Sequence, residues 1–174
     1  MMARLDDPDP STYTSEVRDL VAAMPPDEMV RMLSHGVGTM DLFVRTAWAQ
    51  FSDLALPGRS RELVILAVAV YAECAFELAQ HEPIARKNGV EDRVRQLIRA
   101  RWIHSTELSD HDRALLRFTV EVVRSPTVSD ELFETVRAFL ADREIVEVLQ
   151  VIGYYWTLGR IATVLDVRLT DVYR

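Results

Sequence analysis

The densest chemistry in the chain lies in eight residues, Cys74-Ala-Phe-Glu77-Leu-Ala-Gln-His81. Read as a helix, with about 100° between successive side chains, positions 74, 77 and 81 share one narrow sector and present a thiol, a carboxylate and an imidazole together. The cysteine is the only one in the sequence, and the histidine is one of four. Two chemistries are open to such a set. An acid four residues before an imidazole can fix its tautomer and raise its basicity, as a general base or proton shuttle requires. A thiol beside an imidazole near a helix start can instead act as a nucleophile, although Glu73 and Glu77 both oppose the thiolate. Metal chemistry is poorly served: His35, His104 and His111 have no ligand spacing with His81, and a catalytic zinc asks for three protein ligands where Glu77 and His81 supply two. The sequence therefore implies neither a metal nor a cofactor.

Composition narrows what surrounds these residues. With 174 residues, 49% of them hydrophobic, the chain can bury one core and is short for two. Its net charge of −7 disfavours nucleic acid and anionic membrane surfaces as partners. The longest apolar stretch, Ile145 to Val167, is broken by Glu147, Gln150 and Arg160, which suits a buried helix better than a membrane span. A lone cysteine and an N-terminus without an apolar signal core point to the cytoplasm.

The elements that must position the motif read as helices joined by short loops. Residues 1–13 form a polar tail, and 14–174 read as a single all-α domain of roughly eight helices. Thr14 to Met24 is the first helix, and Pro25-Pro26-Asp27-Glu28 closes it and opens the next. Met29 to Phe51 is apolar at helical spacing, split at Gly36-Val-Gly38. Leu56-Pro57-Gly58 is a turn. The run Leu63 to Val70 fits a buried strand or a buried helix by periodicity alone, and the absence of a second strand to pair with it selects the helix. The motif helix ends at Asn88-Gly89, a left-handed cap. Helices follow over Glu91 to Arg99, from the capping-type Ser109-Asp-His-Asp112 to Val123, from Ser129 to Leu140, and from Arg143 to Leu165. The last is apolar nearly all round, so it is expected at the centre or at a subunit interface.

Three segments together, Arg61-Glu62-Leu-Val-Ile-Leu, Cys74 to His81, and Val90-Glu-Asp, resemble the carboxymuconolactone decarboxylase and alkylhydroperoxidase D-like superfamily. The stretch from Val148 through Tyr155 to Val167 is similar to that superfamily's final helix. The resemblance implies a compact helical domain assembling as a homo-oligomer, a trimer or hexamer, with its site on the motif helix. In the peroxidase branch the motif carries two cysteines, and Glu77 stands here in the place of the second. Without that thiol a sulfenic acid at Cys74 cannot collapse into an internal disulfide. The decarboxylase branch carries a Glu-x-x-x-His pair instead, matched by Glu77 and His81.

The resemblance thus implies a cofactor-free enzyme using general acid–base chemistry on a small organic acid, lactone or enolisable compound, by decarboxylation, isomerisation or a related lyase step. His81 would move the proton and Glu77 would orient it, with Glu62 and Cys74 completing a relay or wall. Tyr71, Arg61 and His35 are candidates for substrate binding, and Arg61, Arg45 and Arg160 are the cations available to a substrate carboxylate. Two rivals stand beside this reading: a single-cysteine peroxidase working through Cys74, and a ligand-binding helical oligomer without turnover.

Overall fold

The computed structural model describes residues 3–169, and among them it contains nine α-helices, a short 3-10 turn and no strand. In chain order the helices are α1 Ser15–Ala23, α2 Glu28–Leu33, α3 Met40–Ser52, α4 Gly58–Tyr71, α5 Ala75–Lys87, α6 Asp92–Arg99, α7 Asp110–Arg124, α8 Asp130–Arg137 and α9 Asp142–Val164. Their starts carry side-chain caps: Thr14, Asp27, Ser109 and Ser129 each accept a hydrogen bond from a first-turn backbone N–H. Gly89, at φ 83°, closes α5 in the left-handed region that glycine occupies without strain.

The ambiguous apolar run is α4, and its surroundings explain why it is apolar on every side. Residues Arg61 to Val70 are all buried, because α5, α6, α7 and α9 pack around them. A helix enclosed in this way has no solvent face to keep polar, so its sequence loses the 3.6-residue alternation. The remainder of the main core comes from Leu97 and Ile98 of α6, Leu116 and Phe118 of α7, Val136 of α8 and Val148 and Val151 of α9. Helix α9 is less symmetric than its sequence suggests. Ile145, Val148, Val151, Ile152 and Tyr155 face the core, whereas Val146, Leu149, Trp156 and Val164 are exposed. No helix among the described residues is long and apolar enough to cross a membrane.

The N-terminal segment, expected as a polar tail, lies against the body of the domain. Arg4 donates its backbone N–H to the Leu165 carbonyl at 2.8 Å, Asp7 pairs with Arg31 at 2.9 Å, and Tyr13 and Ser34 share a hydroxyl hydrogen bond of 2.8 Å. Glu28, buried at the start of α2, receives the backbone N–H of Arg168 at 2.6 Å and its guanidinium at 2.8 Å. These bonds tie α2 to the exit of α9.

A second buried acid fixes the turn between α3 and α4. Glu147 of α9 accepts the N–H groups of Ala55 at 3.1 Å and Leu56 at 2.8 Å, and Arg143 donates to it at 2.7 Å. Burial opposes its ionisation, but the two N–H groups and the guanidinium outweigh that, and its pKa lies below the ordinary carboxylate range. Replacing Glu147 by Ala should cost about 2–3 kcal/mol in urea denaturation, because it strands these donors; Glu147→Gln, which keeps one acceptor oxygen, should cost less.

Candidate functional site

Four helices each contribute one face to a cavity of about 290 Å³. Met29, Val30 and Leu33 come from α2, and Val44, Ala47, Trp48 and Phe51 from α3. Phe76, Glu77, Gln80, His81 and Ile84 come from α5, and Tyr154, Tyr155 and Leu158 from α9. Every set follows three- and four-residue steps, so each is one stripe of an ordinary helix. The walls are mainly apolar, with the carboxyl groups of Asp27 and Glu77 and the imidazole of His81 set among them.

His81 is held from behind by Glu62 of α4. Its Nδ1 lies 2.8 Å from Glu62 Oε2, and the other oxygen, Oε1, accepts two hydrogen bonds from Arg61, from Nε at 3.0 Å and Nη2 at 2.9 Å. Arg61 also donates Nη1 to the Gln50 carbonyl at 3.1 Å. A carboxylate so engaged accepts from Nδ1–H, which leaves the Nε2 lone pair of the imidazole free. Tyr155 meets the His81 ring edge-on at 4.8 Å, and Phe51 lies nearly parallel to it at 6.2 Å. Glu62 is fully buried, and His81 and Arg61 are each 5% exposed. Three ionisable groups at such depth are tolerable because each has a partner.

Glu77 sits on the other side of the imidazole. Its Oε2 is 3.8 Å from His81 Nε2, beyond a direct hydrogen bond, and its buried Oε1 has no hydrogen-bond partner. Desolvation raises its pKa to about 7 against the opposing influence of His81. The phenols of Tyr154 and Tyr155 are likewise pushed above their ordinary value by burial, so both remain hydrogen-bond donors.

The other expected site residues lie elsewhere. Cys74 is not on the helix proper: it is the N-cap of α5, with φ −102° and ψ 96°, and its Sγ accepts the Glu77 N–H at 3.5 Å. The helical projection that aligned it with His81 therefore stops one residue too late. The side chain packs with Met29, Met32, Phe76 and Ala162 instead of lining the cavity, and burial raises the thiol pKa. Arg61 is screened from the cavity by Phe51, whose ring lies 4.3 Å from the guanidinium. Tyr71 is at the far end of α4, donating its hydroxyl to the Arg101 carbonyl at 3.3 Å. His35 is on the surface near the Asp6 carbonyl. Arg45 pairs with Asp41, and Arg160 lies over the Trp156 ring. No arginine or lysine lines the cavity among the described residues, and no three metal-ligating side chains converge.

The sequence model of the carboxymuconolactone decarboxylase family matches residues 38–121, the span that holds Glu62, Glu77 and His81. Over this span the chain is similar to the carboxymuconolactone decarboxylase and alkylhydroperoxidase D-like superfamily. Its all-helical fold matches that of solved AhpD-like proteins. A peroxidase-related protein from Ralstonia eutropha JMP134, with an alkylhydroperoxidase AhpD core, superimposes with a TM-score of 0.82 at 17% identity, over 99% of this chain and 95% of that one. A protein of unknown function from Agrobacterium tumefaciens is 25% identical over 79% of this chain and 94% of its own, with a TM-score of 0.71. A cysteine-to-alanine variant of the debrominase Bmp8, solved in complex with 2,3,4-tribromopyrrole, gives 0.73 at 14% identity over 100% of this chain and 94% of that one. No curated protein matches the sequence.

The resemblance gives the orienting role to Glu77 and a place in a relay to Glu62; in the structure it is Glu62 that accepts the hydrogen bond of the His81 Nδ1–H, a contact set by how α4 and α5 cross. The stripe Phe76, Gln80, Ile84 was readable as the face shared by Glu77 and His81, and Phe51 and Trp48 continue the apolar pattern of α3.

The raised pKa of Glu77 makes stability depend on pH. Between about 4.5 and about 7 the folded protein holds a proton at this group that the unfolded chain has released. Its contribution is therefore complete below about 4.5 and is lost as the pH rises through about 7, by on the order of 3 kcal/mol. Glu77→Gln cannot ionise, so the wild-type stability measured against it in denaturant series should decline across this window; a difference independent of pH would contradict the assignment.

Proposed function

We propose that this protein is a cofactor-free acid–base enzyme that moves a proton at carbon in an enolisable compound. The observation that carries the reading is the Arg61–Glu62–His81 chain, which ends with a free imidazole nitrogen in an apolar cavity. Nε2 of His81 removes a proton from the carbon beside a carbonyl, the C–H electron pair becomes the new C=C bond, and the carbonyl oxygen takes the charge. Glu77, 3.8 Å from Nε2, is the acid available to protonate that oxygen or to receive the proton in turn. Returning a proton to a different carbon completes an isomerisation.

The lining separates the reactions open to such a site. Decarboxylation brings a carboxylate substrate, for which the wall provides no cation, so proton transfer within a neutral compound fits better. The thiol alternative draws little support, because Cys74 is buried outside the cavity lining and its pKa is raised. The Bmp8 complex shows that a protein of this fold accommodates a small ring compound.

Deuterium uptake from D2O at the α-carbon of ketones and lactones, followed by proton NMR, tests the reading. His81→Ala should lower the catalysed rate by about 10²–10⁴-fold. Glu62→Gln, which disturbs the orientation of the imidazole, should lower kcat with KM little changed. Cys74→Ser keeps a capping oxygen at the start of α5 and should keep the activity. Full exchange in the His81 variant, or its loss in the Cys74 variant, would overturn the proposal.

A further inference from the structure

The cavity holds an unspent polar group in a setting that selects its ligand. Glu77 is 2% exposed, yet its Oε1 has no hydrogen-bond partner, and its other oxygen lies 3.8 Å from His81 Nε2. A carboxylate left so poorly compensated is costly, whereas a carboxylic acid in the same place is a neutral donor waiting for an acceptor. The second acid on the wall, Asp27, is the N-cap of α2 and accepts the Val30 N–H at 2.7 Å. An anionic ligand would be desolvated against a wall that carries no arginine or lysine among the described residues, since the guanidinium of Arg61 is bound to Glu62 and covered by Phe51. Charge alone thus disfavours carboxylates.

Size and shape narrow the ligand further. A volume of about 290 Å³ falls at the small end of ligand pockets, which run from roughly 300 to 1,000 Å³. Trp48, Phe51, Phe76, Tyr154 and Tyr155 supply aromatic faces and edges around it, a lining suited to a planar ring. We propose that the cavity binds a neutral single-ring compound whose carbonyl oxygen accepts a hydrogen bond from the Glu77 carboxylic acid. This deepens the acid–base reading and rests on it for the placing of the reactive carbon beside His81, while the binding itself can be tested without turnover.

Acetophenone and benzoate form the discriminating pair, being nearly the same shape and differing in charge. Isothermal titration at about pH 6, where benzoate is ionised, should show acetophenone binding at least about tenfold more tightly to the wild type. Glu77→Leu, which lacks a donor, should weaken acetophenone about five- to tenfold; Glu77→Gln, whose amide N–H can replace the acid, should stay within about threefold. Absence of acetophenone binding, benzoate binding as tightly, or an unchanged affinity in a folded Glu77→Leu protein would each overturn the proposal. The same titration with His81→Ala separates it from the catalytic reading. An active His81 variant that still prefers acetophenone removes only the catalytic reading, and an inactive one beside a wild type that prefers benzoate removes only the ligand class.

Discussion

The buried chain from Arg61 through Glu62 to His81 is the interaction on which the rest of the molecule depends. It places a guanidinium, a carboxylate and an imidazole at the centre of an apolar domain, and each is acceptable there only because the next is present. Arg61 and Glu62 are neighbours on the first turns of α4, so their pairing is local, but the imidazole arrives on α5. The crossing of these two helices therefore sets both the packing of the core and the direction of Nε2. Beyond Glu62, α4 stays enclosed by α5, α6, α7 and α9, so the buried run continues unbroken from Leu63 to Val70.

Around this axis the two faces of the imidazole are treated differently. Behind it, Glu62 is fully satisfied and fixed; in front, Glu77 is buried and left with an unused oxygen. Environment alone thus leaves two acids of the same type in different states, one paired on both oxygens and one with an oxygen unused. Glu147 and Glu28 show the opposite use of a buried acid. Glu147 is held by two backbone N–H groups and Arg143, and Glu28 by the backbone N–H and guanidinium of Arg168, so that each acts as a clamp between distant parts of the chain.

Much of the fold is legible in the sequence because it is written locally. Thr14, Asp27, Ser109 and Ser129 mark helix starts by their own hydrogen-bonding chemistry, and Asn88-Gly89 marks an end. The resemblance to the superfamily is readable from Glu62, Glu77 and His81 at their spacing, and the family's sequence model matches residues 38–121. What the sequence does not carry is anything decided by how helices cross. The partner of His81 is one such case, the exclusion of Arg61 from the cavity by Phe51 is another, and the separation of Tyr71 from the motif by the length of α4 is a third. Cys74 fails for a different reason: a projection wheel assumes helical dihedrals, and the residue stands one step before the helix begins. The N-terminal segment was opaque because its anchors, the Leu165 carbonyl and Arg31, are supplied by distant parts of the chain.

Of the residues lining the cavity, Trp48 and Phe51 are the exposed ones, at 48% and 45%. Both project from α3, a regular helix of 13 residues, so the passage between solvent and cavity is bordered by side chains on a rigid support. Rotating exposed side chains takes picoseconds to nanoseconds, whereas lids and hinges move in microseconds to milliseconds. Side-chain rotation at Trp48 and Phe51 is thus enough to widen this opening, with no lid or hinge needed to admit a small compound.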